Sequence, residues 1–153
     1  MLNRSNDVKL DFDFYKVKEK NKDNPVFYIQ YAYARINSLL RIINKNLNDK
    51  IKLNIDNFNL NINEEKILRK IFEWPKVIDS SSNKFELHKI PYYLYELSIL
   101  FHSYWSKGNG DKDYRFIENN EIKRIETLTI VYLIAIVIQN GMKILGVSLP
   151  EKM

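Results

Sequence analysis

Apolar residues recur at helical spacing along most of this chain, and polar segments divide them into blocks. The first strong period follows Asn24, where Ile29, Ala32, Ile36, Leu39, Leu40 and Ile43 succeed one another in steps of one, three and four residues. At about 100° per residue they fall within a sector of roughly 100°, the width of a core-facing stripe. Asn24 suits the N-cap, and Pro25 at the first helical position has a pre-set φ and no amide proton to waste. After Asn44 comes "KNLNDKIKLNIDNFNLNIN", which reads as a long loop with room for a short extended piece. Asn63 suits the cap of the next helix, with Glu64 and Glu65 at its positive end and Ile67, Leu68, Ile71 and Phe72 facing inward. Pro75 interrupts or restarts this helix at "WPKVID", and "SSSNK" reads as a turn.

Pro91 opens a third strong period, "PYYLYELSILFHSYW", whose broad apolar face comprises Leu94, Leu97, Ile99, Leu100, Phe101 and Tyr104. "SKGNGDKD" ends it through Gly108 and Gly110. The last helix is predicted from near Asn120 to about Leu145, with Gly146 as its C′ residue. Its apolar run from Leu128 to Ile138 is interrupted only by Thr129 and falls well short of the roughly 20 residues of a membrane span. A helix buried in the centre of a bundle fits better. The chain is therefore expected to be all-α, a bundle of four to five main helices around one core.

The stripe on the first helix leaves something over. Tyr28, Tyr31 and Arg35 cluster about a quarter-turn or slightly more from its middle, on the flank. Such an aromatic flank either covers the edge of the core or stacks on a ligand, and unstacked nucleobases are good candidates because stacking on an aromatic ring contributes about 1–3 kcal/mol per base. Arginine adds a planar cation for phosphate or a base edge.

Composition narrows the reading little further. The net charge of +5 is compatible with a polyanionic partner without requiring one. With no cysteine there is neither a disulfide frame nor thiolate chemistry, and a reducing, cytoplasmic setting is the default. Nothing near the N-terminus reads as a signal peptide. His88 is expected in a turn near a helix start, and His102 as a partly exposed helix residue; neither stands in a metal-binding spacing. "LDFDF" alternates like an extended entry segment, and Asp13 there suits a helix N-cap better than a metal or acid/base pair with Asp11. "GNG" at 108–110 lacks the lysine and preceding strand of a phosphate cradle. No catalytic motif emerges, so the residues read as a binding domain rather than a self-sufficient enzyme.

Longer strings carry a resemblance. "NPVFYIQYAYARINSLLR" resembles the helix that opens the C-terminal, DALR-type anticodon-binding domain of arginyl-tRNA synthetases, with the family pattern N-P-V-Y-Y-[VI]-Q-Y-A-H-A-R; Tyr33 stands where that pattern has His. "NRSNDVKLDFDF" is similar to the segment leading out of the catalytic domain. "PYYLYELSILFHSYW" resembles the family's P-x-Y-L-Y-x-L-A-x-x-F-H-x-F-Y helix, with Tyr104-Trp105 for Phe-Tyr. "NGMKILGVSLPEKM" resembles its N-G-L-x-L-L-G-[VI]-x-x-P-E-[RK]-M terminus.

The resemblance spans essentially the whole chain. It implies a class I aminoacyl-tRNA synthetase that attaches arginine to its tRNA using ATP with Mg, and a chain that is the C-terminal fragment. The family's ATP-holding signatures would lie upstream, so the fragment should be inactive alone. Residues 1–20 are then expected to connect to the catalytic domain of the same polypeptide and 21–153 to form the anticodon-binding domain. By position, Tyr28, Tyr31 and Arg35 match residues at the anticodon loop, Trp105 falls near an anticodon-proximal aromatic, and Met153 matches the terminal methionine packed against that loop. Two alternatives remain open: a helical protein-interaction module whose aromatic flank docks a partner helix, and the corresponding domain of another synthetase.

Overall fold

The computed structural model describes residues 15, 18–21, 23–49 and 59–153. Most of the expected connecting segment, Asp11 and Asp13 included, and residues 50–58 of the Asn-rich loop lie outside them. Among the described residues five α-helices form the body: α1 (Pro25–Ile42), α2 (Ile62–Phe72), α3 (Trp74–Lys84), α4 (Lys89–Gly110) and α5 (Ile125–Ile144). A 3-10 turn (Lys112–Tyr114) and a small antiparallel hairpin, β1 (Ile117–Glu118) with β2 (Glu121–Ile122), join α4 to α5. The mainly helical bundle expected from the periodicity is what the chain builds.

α1 begins as predicted, with the Asn24 side chain accepting from the Phe27 amide at 3.3 Å and Pro25 opening the helix. It ends where Asn44 turns left-handed (φ 53°), so that the amides of Asn44 and Lys45 return to the carbonyls of Arg41 and Leu40. α5 closes in the same way, with Gly146 at φ 67° and Val147 bonded back to Met142. α5 has the length and apolarity of a membrane span, but 72% of its most apolar window is buried inside the protein, as a central core helix requires. Val131, Ile134, Ala135 and Ile138 are fully enclosed there, against Ile36 and Leu39 of α1, Ile67 of α2, and Leu94 and Leu97 of α4.

Several local expectations need correction. The cap of α2 is Asn61, not Asn63: its side chain accepts from the amides of Asn63 and Glu64, while Glu64 reaches back to the Asn61 amide at 2.9 Å. That reciprocal capping box outcompetes a cap two residues on. Phe72 and Ile99 are exposed, because at about 100° per residue they fall off the faces carrying buried Ile67 and Ile71 on α2 and Leu94, Leu97 and Phe101 on α4. "SSSNK" is the second half of α3, ended by Phe85 in the left-handed region; the Ser80 hydroxyl bonds back to the Val77 carbonyl instead of breaking the helix. Pro91 is the third residue of α4, still within the turn whose amides have no intrahelical partner. The last helix begins at Ile125, since Asn119 and Asn120 both adopt positive φ and form a tight hairpin turn.

At Gly141 α5 crosses α4 closely. A Cβ there would lie 2.6 Å from Cδ1 and 3.1 Å from Cγ of Leu94, a side chain with no room to retreat. Gly141→Val should therefore lower unfolding free energy by about 1–3 kcal/mol in urea titration, with part recovered in the Leu94→Ala background. An unchanged midpoint for the single variant would contradict this packing.

Candidate nucleic-acid interface

The α1–α4 contact sets the site. Tyr28, Tyr31 and Arg35 rise from one flank of α1 at helical spacing, while Tyr95, His102 and Trp105 occupy the facing side of α4. Tyr31, Arg35 and Trp105 converge. The Arg35 guanidinium carbon lies 4.2 Å from the Tyr31 ring centroid and 5.6 Å from that of Trp105, within cation–π range of both. Its Nη2 also donates to the Tyr31 hydroxyl at 2.7 Å. Phe27 extends the surface, its ring nearly parallel to Tyr31 at 6.2 Å. Tyr28, Tyr31, Arg35 and Trp105 are all partly exposed.

Tyr28 joins the group through His102, whose ring centroid is 4.3 Å away, and rests on its other side against Tyr95 at 5.6 Å. Burial, then the neighbouring Tyr95, push the Tyr28 phenol above its ordinary range, with Arg35 pulling the other way, so it stays neutral. Trp105 is oriented from below by Phe101 at 5.8 Å and Phe116 at 5.2 Å. Beyond it a cleft of about 380 Å³ opens between Ile42, Arg115 and Phe116. Its wall exists because Gly108 lets the 3-10 segment approach: a Cβ at Gly108 would sit 3.1 Å from the Tyr114 carbonyl oxygen.

His102 was expected to be partly exposed; it is 4% exposed. Its imidazole lies between the tyrosines, Nδ1 3.1 Å from Arg35 Nη1 and Nε2 3.3 Å from the Tyr28 carbonyl oxygen. Burial first, and secondarily Arg35, outweigh the carbonyl contact and lower its pKa to about 4, so the ring is neutral near pH 7. A sequence signal existed: Tyr95, His102 and Trp105 stand at seven- and three-residue steps, which places them on one helix face.

The C-terminal tail lies along a neighbouring flank of α1. Gln30 donates to the Ser148 carbonyl at 2.8 Å and Arg41 to the Glu151 carbonyl at 3.1 Å. Met153, two residues past the second anchor, is 54% exposed and is not among the rings that meet at Arg35. Tyr33, the departure from the family pattern, is on the far flank: it is 5% exposed and its hydroxyl accepts from Gln139 at 2.6 Å, tying α1 to α5.

The DALR anticodon binding domain family matches residues 29–153. The chain belongs to that family. Among curated proteins, this DALR domain is 53% identical over 155 residues to an arginine–tRNA ligase of Pelagibacter ubique strain HTCC1062, a match covering all of this chain and 26% of that protein. It is 38% identical over 160 residues to the arginine–tRNA ligase of Allorhizobium ampelinum, covering all of this chain and 27% of the relative. The DALR domain thus spans about a quarter of the length of the curated relatives it matches. Among solved structures it superposes on an arginyl-tRNA synthetase from Campylobacter jejuni with TM-score 0.81 and 25% identity, covering 99% of this chain and 32% of that one.

Proposed function

We propose that this domain binds the anticodon stem-loop of an arginine tRNA, as part of an arginine–tRNA ligase working in the cytoplasm. The observation that carries the reading is the partly exposed set of Tyr31, Arg35 and Trp105 on the α1–α4 flank. Rings in that position accept splayed loop bases, and the guanidinium meets phosphate or a base edge. Tyr28 extends the stacking surface. The tail is held to the same helix at Gln30 and Arg41, through the carbonyls of Ser148 and Glu151, and Met153, two residues further on, would close one side of the base pocket. The full enzyme would activate arginine with ATP and Mg in its catalytic domain, residues 1–20 forming the connection to 21–153. Anticodon binding would then position the distant acceptor end.

Long-range attraction comes from the excess of positive charge. The segment near 105–112 contributes less than its lysines suggest, because Asp111 and Asp113 stand beside Lys107 and Lys112, and Lys107 is held by Asn63 at 2.7 Å. Lys45 borders the other basic stretch, near 45–52.

Titrating an arginine tRNA anticodon stem-loop should show Tyr31→Ala weakening binding by about 5- to 150-fold, from a loss of about 1–3 kcal/mol of stacking. Removal of Met153 should weaken it less. Affinity should fall steeply with salt, log K losing about 0.7 per released phosphate contact for each decade of salt. Wild-type affinity in both variants would reject the site; a flat salt response would favour a protein-docking surface.

A further inference from the structure

We propose that His102 is the positioning residue of this surface: its buried neutral imidazole holds Arg35, and through Arg35 the Tyr31 ring, in the geometry that meets RNA. The proposal rests on the reading of Tyr31 and Arg35 as anticodon-loop contacts. His102 itself is enclosed and would touch no nucleotide.

The hydrogen bonds fix the tautomer. A carbonyl oxygen only accepts, so the Nε2 that faces the Tyr28 carbonyl carries the proton. Nδ1 is then a lone-pair acceptor, which is what the Arg35 Nη1–H opposite it requires. Arg35 is gripped at both ends of its fork, Nη1 by His102 and Nη2 by the Tyr31 hydroxyl. The guanidinium plane is thereby set against the Tyr31 and Trp105 rings, and the remaining N–H donors stay available to a ligand. The His102 ring also supports the tyrosines directly, stacked within 24° of parallel on Tyr31 at 5.3 Å. Without it, the arginine would regain the freedom of a long side chain, and binding would have to order it again.

The grip exists in one protonation state. A second proton on the ring would put an Nδ1–H and a positive charge against the guanidinium. Around the imidazole stand Tyr28, Tyr31 and Arg35 from α1, with Tyr95 of its own helix behind Tyr28. The charged groups that α2 brings to α4 engage other faces: Lys70 bonds Glu96, and Glu64 bonds Tyr104. Burial supports the same conclusion, since it keeps the ring neutral near pH 7.

The test compares His102→Phe, which keeps ring volume without the acceptor, with His102→Asn, whose amide oxygen can replace Nδ1, and with Arg35→Ala. Binding of an arginine tRNA anticodon stem-loop is measured for each, alongside circular dichroism to confirm the fold. His102→Phe should bind about tenfold more weakly, the scale of a lost hydrogen bond to a charged group. His102→Asn should recover part of that. In the Arg35→Ala background the His102→Phe loss should vanish, because both changes remove one interaction. In the wild type without RNA, imidazole nitrogen NMR at pH 7 should show Nε2 protonated and Nδ1 bare. This signature needs no variant to fold.

Full binding by His102→Phe while Arg35→Ala binds weakly would overturn the positioning role and leave the RNA surface intact. A proton found on Nδ1 would do the same. Full binding by Arg35→Ala would instead reject the RNA surface, and the positioning role with it.

Discussion

Glu64→Ala should remove about 3–5 kcal/mol from the unfolding free energy of this domain. Glu64 is fully enclosed, yet each carboxylate oxygen is matched. Oε1 accepts from Thr127 Oγ1 at 2.6 Å and from the Tyr104 hydroxyl at 3.0 Å. Oε2 accepts from the Asn61 amide at 2.9 Å and pairs with Arg124 at 3.1 Å. Arg124 in turn bonds the Asn59 carbonyl, and Glu126 accepts from the Asn59 amide at 3.0 Å. The start of α2, the last third of α4 and the entry to α5 are thus tied at one carboxylate.

Truncation would leave two hydroxyls and the Asn61 amide without this acceptor and take from Arg124 its pairing with Glu64, leaving it the Asn59 carbonyl and Glu126; the penalty comes from those stranded groups more than from the net worth of the pair. A domain of this size has about 5–15 kcal/mol in all, so the variant should sit near its unfolding threshold at 37 °C. Glu64→Gln, which keeps the volume and one acceptor, should fall between. Urea denaturation measures both, and a loss below about 1 kcal/mol for Glu64→Ala would show that the network is not as connected as its distances indicate. The effect would reach the proposed RNA surface indirectly, because Tyr104 is the neighbour of Trp105 and its bond to Glu64 ties α4 to α2.

Acid should weaken the fold through His102 over a defined window. Its ordinary pKa is 6.5, and in the fold it is lowered to about 4. Above 6.5 neither the folded nor the unfolded chain carries a proton there, and the residue adds no pH dependence. Between 6.5 and 4 the unfolded chain takes up a proton that the folded chain refuses, so stability drops as pH falls, by about 1.4 kcal/mol per unit at most. Below 4 both states are protonated and the slope from this residue ends. The whole loss is on the order of 3 kcal/mol.

Glu126 acts in the same direction. Burial raises its carboxyl, but the amides of Asn59 and of its own backbone and the charge of Arg124 outweigh that and lower it. Its contribution is present above its unfolded pKa and disappears as pH falls through its folded one. His102→Phe separates the two by removing only the histidine component. Thermal melts of both proteins at half-unit steps from pH 7.5 to 4 should show the smaller slope in the variant. Parallel curves would mean that His102 titrates alike in both states, against the burial and bonding described.

The helical architecture was legible because its causes are local. A stripe of Ile, Ala and Leu at 3.6-residue spacing states both the helix and the face it buries, and Asn24-Pro25 states where α1 begins. The same wheel put Tyr28, Tyr31 and Arg35 on one flank, a consequence of helix geometry alone. Errors came where two local solutions competed. Asn61 and Asn63 both cap plausibly, and only the reach of Glu64 decides. Three serines read as a turn, yet α3 carries through them to a left-handed Phe85. Asn119-Asn120 could begin a helix or turn a hairpin, and pairing of Ile117 with Ile122 chooses the hairpin.

The sequence by itself determined a set of amphipathic helices and an aromatic, basic flank on the first of them, since periodicity and capping depend on neighbours a few residues apart. Only the tertiary structure decided what that flank is made of. The α1–α4 crossing buries His102 against residues 67 and 74 positions away in the chain, turning a histidine that the sequence alone leaves partly exposed into the partner of Arg35 and Tyr28. The crossing is set by volume and complementary polar groups across two helices, and no spacing within one helix can express it.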